Sequence, residues 1–137
     1  MNEPVFGTAV LDASAVVALI EEEPGAGRVL DAIEEGALIS AVNWAEVLAR
    51  LVSGGGDPHE VTSRALPAGL GKRVELVPFD DEQARESARL IHKTRSLGLS
   101  LADRAAIALA HLRHLPVLTT DRAWRSLHLP IKIEVIR

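Results

Sequence analysis

Four carboxylates, Asp12, Glu46, Asp103 and Asp121, stand at positions where a chain of this pattern can put them to chemical use. Asp12 directly follows an apolar, β-branched run expected to form a strand over Val5–Leu11, and Asp121 follows a second such run over Val117–Thr119. Glu46 is expected in the first turn of a helix over Asn43–Val52, and Asp103 in the first turn of an alanine-rich helix over Leu101–Arg113. In an open parallel sheet, strand C-termini and the N-termini of the following helices share one edge, where ligands bind. Four acids far apart in sequence can therefore face one crevice. Carboxylates gathered in a crevice repel one another unless a proton or a cation neutralises them. Hard oxygen ligands without a partnering histidine or cysteine suit Mg2+ or Mn2+. Such ions serve phosphoryl chemistry on nucleotides or nucleic acid.

Each acid taken singly also has a structural explanation. Asn43-x-x-Glu46 and Ser100-x-x-Asp103 both match a helix capping arrangement, and Asp12 and Asp121 suit caps or turns. The convergence of all four is what favours chemistry. No histidine is comparably located. His92, His111 and His114 fall on expected helices, His59 near a loop and His128 just before Pro130, so solvated or locally bonded roles are expected for them.

The elements that must position these acids alternate along the chain. Helices are expected over Ser14–Ile20 and Pro24–Glu35, the second capped by Gly36, followed by a strand over Ala37–Ser40. Trp44, Val47, Leu48, Leu51 and Val52 give the Asn43–Val52 helix an apolar face at helical spacing. Gly54-Gly55-Gly56 ends it, with no following Lys-Ser/Thr to make a phosphate loop. A short helix over Pro58–Leu66, a strand over Val74–Val77 and a helix from Asp80 or Asp81 to about Arg95 come next. Gly98 breaks the chain, Ser100 caps the alanine-rich helix, and a fifth strand over Ile131–Ile136 alternates as an edge strand does. The expectation is an α/β fold, a three-layer α/β/α sandwich around a mainly parallel sheet of four to five strands. Residues 1–137 show no repeat or linker and are read as one domain.

Composition narrows the chemistry further. None of the 137 residues is cysteine, so disulfides, thiolate nucleophiles and zinc–thiolate sites are excluded. Aromatics are 3%, too few for nucleic-acid recognition mainly by base stacking. The net charge of −4 is uneven: residues 1–68 carry 3 arginines against 11 carboxylates, and residues 69–137 carry 12 Lys/Arg against 8. The acidic total does not favour nonspecific polyanion binding, and the basic second half does not forbid it. Strictly apolar runs such as Ala15–Ile20 are far short of the roughly 20 residues that span a bilayer. The N-terminus lacks the basic region of a signal peptide, so a soluble cytoplasmic protein is expected.

Four segments, in this order and spacing, resemble the PIN-domain family and, within it, VapC-type toxins of bacterial toxin–antitoxin pairs. They are Val10-Leu11-Asp12-Ala13-Ser14-Ala15, Ser40-Ala41-Val42-Asn43-Trp44-Ala45-Glu46-Val47, Ser100-Leu101-Ala102-Asp103-Arg104-Ala105 and Leu118-Thr119-Thr120-Asp121-Arg122-Ala123-Trp124. The resemblance covers nearly the whole chain. It implies a PIN-like fold and an endoribonuclease that cuts RNA with Mg2+ or Mn2+, leaving a 5′-phosphate and a 3′-hydroxyl. It implies that Asp12, Asp103 and Asp121 hold the metal, directly or through water, while Glu46 completes the negative shell and orients or deprotonates the attacking water. Thr120 matches the family's hydroxyl residue before the last acid and Ser14 its small polar residue after the first, both candidates for contacts to water or phosphate. Trp124 stands where many members have phenylalanine and is read as core packing of that turn.

RNA requires cations outside the acidic centre. Arg104, Arg122 and Arg125 flank two of the acidic segments and are the phosphate-contact candidates, with ion pairing to nearby acids as the structural alternative. By the same resemblance the partners are a cognate antitoxin, whose acidic or C-terminal segment these arginines could contact, and a second copy of the chain, with the Trp44 helix offering apolar surface. Competing readings are a PIN nuclease in RNA processing, a flap-type DNA nuclease, a phosphoacceptor domain and a non-catalytic binding module. A flap nuclease needs an added DNA-binding module for which 137 residues leave little room, and a phosphoacceptor needs paired acids after the first strand, where Asp12 stands alone.

Overall fold

Strands with both faces covered are apolar throughout, and three of the strands here are buried along their whole length. The computed structural model describes residues 7–65 and 73–137. In chain order the elements are β1 (Ala9–Leu11), α1 (Ala13–Ile20), α2 (Ala26–Glu35), β2 (Ala37–Ser40), α3 (Ala41–Val52), α4 (Pro58–Ala65), β3 (Val74–Val77), α5 (Asp81–Lys93), α6 (Leu101–Arg113), β4 (Val117–Thr119) and β5 (Ile133–Val135). Two single-turn 3-10 helices, Arg95–Leu97 and Arg122–Ser126, precede α6 and follow β4.

The five strands pair in parallel in the order β3-β2-β1-β4-β5. The chain winds outward from β1 through β2 to β3, then returns to place β4 on the other side of β1. That reversal opens a crevice at the C-terminal ends of β1 and β4. Side chains alternate across the sheet. Ala9, Leu11, Ala37, Ile39 and Leu118 pack against α1, α2 and α3 through residues such as Val16, Ile33 and Val47. Val10, Leu38 and Val117 pack on the opposite face against Leu90 of α5 and Ile107 and Leu109 of α6. The result is the expected three-layer α/β/α sandwich, with all five strands parallel.

Several boundaries differ from the sequence reading, each for a local reason. The first strand begins at Ala9; Gly7 has φ 103, outside extended geometry, and Val5 and Phe6 lie outside the described residues. Helix α2 starts at Ala26, because Gly25 before it has φ 100 and its backbone lies against Ile136; a Cβ there would meet Ile136 at 2.9 Å. Helix α3 starts at Ala41, capped by Ser40, whose hydroxyl accepts from the Val42 amide at 3.2 Å. Asn43 is therefore not a cap, and Glu46 lies in the second turn and not the first. The helix expected over Pro58–Leu66 is observed to Ala65, and Leu66 lies outside the described residues. Helix α5 stops at Lys93, and the chain then tightens into a 3-10 turn.

The last strand is shorter than expected but takes the edge position its alternation predicted. Its polar residue, Glu134, accepts from Arg28 of α2 at 2.6 and 3.2 Å and ties that edge to the helical layer. Among the described residues no helix is long and apolar enough to cross a membrane.

Candidate active site

Asp12 leaves the C-terminal end of β1 and caps α1. Its Oδ1 accepts from the Ser14 hydroxyl at 2.7 Å and the Ala15 amide at 2.9 Å, and its Oδ2 accepts from the Thr119 hydroxyl at 2.6 Å. The β1–β4 pairing brings Thr119 there: Leu11 stands opposite Leu118, and the Asp12 amide donates to the Leu118 carbonyl at 3.2 Å. The same two hydroxyls accept from the next stretch of backbone, Ser14 from the Thr120 amide at 3.0 Å and Thr119 from the Asp121 amide at 3.1 Å. Two short side chains thus fix the turn after β1 to the turn after β4.

Asp12 is only 4% exposed. Burial pushes its carboxyl up from the usual 3.8 to about 6, against the pull of the Thr119, Ser14 and Ala15 hydrogen bonds, and the nearby Asp103 charge adds to the rise. Because those bonds favour the ionised form, Thr119→Val is expected to drive the Asp12 carboxyl above about 6. A carbon-detected NMR titration of the Asp12 carboxyl checks this; a midpoint at or below wild type contradicts the assignment of Thr119 as donor.

Asp103 stands in the first turn of α6, in a reciprocal cap with Ser100: the Ser100 amide donates to Asp103 Oδ2 at 3.0 Å, and the Asp103 amide donates to Ser100 Oγ at 3.1 Å. Asp121 caps the 3-10 turn after β4, accepting from the Ala123 amide at 2.9 Å. The Glu46 carboxyl is raised above its ordinary value by partial burial and by the Asp103 charge. Each acid thus has a place given by its own helix or turn, and the Asp103 charge is felt at both Asp12 and Glu46.

All four acids line one cleft of about 180 Å3, with Ala13, Ser14, Val17 and Arg50. Among the described residues, no three carboxylate or imidazole side chains form a ready-made metal cage. The donor chemistry of the cleft nevertheless fits a hard divalent ion. Its ionisable donors are all carboxylates, one of them buried, and repulsion between them is what a cation offsets.

The remaining candidates scatter. The Thr120 amide bonds Ser14, while the hydroxyl that reaches Asp12 belongs to Thr119, one residue earlier. The Arg104 guanidinium turns to α5, donating to the Ser87 carbonyl at 3.1 Å, and Arg122 donates to the Arg137 carbonyl at 3.3 Å. Arg125 is exposed on the 3-10 turn. None of the three lines the cleft, whereas Arg50 does, one helical turn after Glu46. His111 pairs with Glu86 and His92 with Arg95, both at 3.1 Å, as local roles predict. Trp124 is fully buried, as core packing requires.

The PIN domain family matches residues 9–128, a span that includes all four acids. Comparison with curated proteins finds no match. Among solved structures, VapBC2 from Rickettsia felis, bound to a DNA fragment from its promoter, is similar with a TM-score of 0.69 at 19% identity over 92% of this chain and 96% of that one. VapBC-5 from Mycobacterium tuberculosis, a member of the VapBC family of toxin–antitoxin systems, is similar at 26% identity with a TM-score of 0.58, over 95% and 98% of the two chains. VapC20 from the same organism, a toxin that cleaves the sarcin–ricin loop, reaches a TM-score of 0.69 at 13% identity over 88% and 96%. Sequence match, sheet order and layer arrangement agree, and this chain belongs to the PIN-domain family.

Proposed function

We propose that this chain is a Mg2+- or Mn2+-dependent endoribonuclease that hydrolyses RNA phosphodiester bonds, acts as the toxin of a toxin–antitoxin pair and is inhibited by its antitoxin. The observation that carries the proposal is the single cleft lined by Asp12, Glu46, Asp103 and Asp121, of which Asp12 is buried. Asp12, Asp103 and Asp121 hold the ion, and Glu46 completes the negative shell. When bound, the divalent metal acidifies the attacking water and neutralises charge that builds up on the phosphodiester. Glu46, whose carboxyl is raised above its ordinary value by partial burial and the Asp103 charge, would orient the attacking water and accept its proton. Ser14 and Thr119 hold the Asp12 carboxylate in one orientation. Arg50, on the rim beside Glu46, meets the phosphate backbone, with Arg122 and Arg125 extending the basic surface from the turn after Asp121.

The toxin reading draws on the similarity, over nearly all of this chain, to VapBC-5, a member of a family of toxin–antitoxin systems, and to a toxin–antitoxin complex from Klebsiella pneumoniae. An antitoxin segment that plugs the cleft and a homodimer are the partners it implies, in the cytoplasm. The test is incubation of the purified protein with a mixed RNA pool and Mg2+ or Mn2+, followed by sequencing of the cleaved ends. Wild type is expected to cut, and Asp103→Asn to cut at least about a hundredfold more slowly. Absence of metal-dependent cleavage above that of Asp103→Asn refutes the nuclease reading and leaves a non-catalytic binding module.

A further inference from the structure

We infer that Asn43 is a positioning residue that fixes the spacing of Asp12 and Asp103 across the cleft. This rests on the nuclease reading above and adds a residue to its machinery. Asn43 is 1% exposed and lies on α3, one turn before Glu46. Its Oδ1 accepts from the Ala13 amide at 3.3 Å, and its Nδ2 donates to the Ala102 carbonyl at 3.2 Å. Ala13 is the residue after Asp12, and Ala102 is the residue before Asp103. One planar amide therefore joins the backbones that carry two of the acids, from the helix that carries a third.

The polar choice is informative because stability alone does not ask for it. The other buried residues of α3 are Val47 and Leu51, and asparagine is a poor helix former. A buried amide is tolerated only where its hydrogen-bonding groups are satisfied. Here they are satisfied by two segments distant in sequence, residues 30 and 59 positions away. The Ala13 amide is one of the N-terminal donors of α1 that have no partner within their own helix. The Asn43 amide thus sets how far α1 and α6 stand apart at the edge where Asp12 and Asp103 face the cleft, and it touches neither carboxylate itself.

The test uses the full chain and isothermal titration with MnCl2 at pH 7.5, with RNA cleavage in parallel. Asn43→Ala is expected to bind Mn2+ about tenfold more weakly and to lose kcat while KM for RNA is kept. Asn43→Ser, whose hydroxyl is too short to span both backbones, is expected to behave alike and serves where the alanine variant does not fold. Leu90→Ala, a core truncation on α5, controls for stability: it is expected to lower the melting temperature without changing Mn2+ affinity. Wild-type Mn2+ affinity in a folded Asn43 variant, or an equal loss in Leu90→Ala, overturns the positioning role. A wild type that binds no Mn2+ overturns instead the metal-dependent reading on which it rests.

Discussion

Asp12→Asn is expected to abolish metal-dependent RNA cleavage and, in the same molecule, to stabilise the metal-free fold at neutral pH. The two effects share one cause. Asp12 is held almost out of solvent, and its carboxyl is raised from 3.8 to about 6, mainly by burial. The folded chain therefore binds this proton more tightly than the unfolded chain does. Linkage gives the sign: the fold carries no penalty from Asp12 below pH 4, loses stability as pH rises from 4 to 6, and bears the full cost above 6. The gap between 3.8 and about 6 corresponds to about 3 kcal/mol as an upper bound.

Asparagine has the same shape and no charge, so most of that cost disappears, less whatever the three hydrogen bonds to the carboxylate contributed. The expected gain at pH 8 is about 2 kcal/mol in urea denaturation with EDTA present, shrinking to nothing near pH 4. Added Mn2+ should reverse the order, stabilising wild type by mass action and leaving the variant unchanged. Cleavage should fall at least about a hundredfold. A variant less stable than wild type at pH 8 in EDTA shows that the Asp12 charge is not strained by its site.

How much of this was legible in the residues can be traced position by position. The alternation of short apolar runs with amphipathic segments predicted the layers, and the edge strand was visible because Lys132 and Glu134 interrupt its apolar residues. That the four acids share one cleft was foreshadowed by local signals, since Asp12 and Asp121 follow strands and Asp103 opens a helix, whereas Glu46 lies a turn further into α3 than expected. Failures came where tertiary register decides. Asn43 has the side chain of a helix cap, but β2 runs into α3 without a loop, so Ser40 takes the cap and Asn43 is carried inside. Thr119 and Thr120 are equivalent as sequence, and only the pairing of Leu11 with Leu118 selects Thr119 to meet Asp12. Adjacency to an acid does not bring the arginines into the cleft. Arg104 follows Asp103 on a helix and so points about 100° away, onto α5, whereas Arg50 shares a face with Glu46 four residues earlier.

Trp124→Ala should give the largest loss of stability from a single truncation on the β4 side of the cleft, about 4 kcal/mol, while Trp124→Phe should cost about 1 kcal/mol or less. Trp124 is fully buried with Val10, Leu38, Leu109 and Val117, so truncation to alanine leaves a cavity at the base of the turn that carries Asp121. Phenylalanine keeps most of the apolar contact. It also removes a cost, since the buried indole N–H has no hydrogen-bond partner among the described residues. The functional consequence follows from the backbone of the same turn. The Trp124 amide donates to the Asp121 carbonyl at 3.2 Å, and the Ala123 amide to the Asp121 carboxylate at 2.9 Å, so the ring anchors the segment that aims this acid at the cleft. Under conditions where circular dichroism shows Trp124→Ala to be folded, its Mn2+ affinity and RNA cleavage should still fall below wild type, and those of Trp124→Phe should not. Equal Mn2+ affinity in folded Trp124→Ala and wild type would separate the core from the metal site and leave Trp124 a purely structural residue, whereas a selective loss ties the packing of this ring to the aim of Asp121.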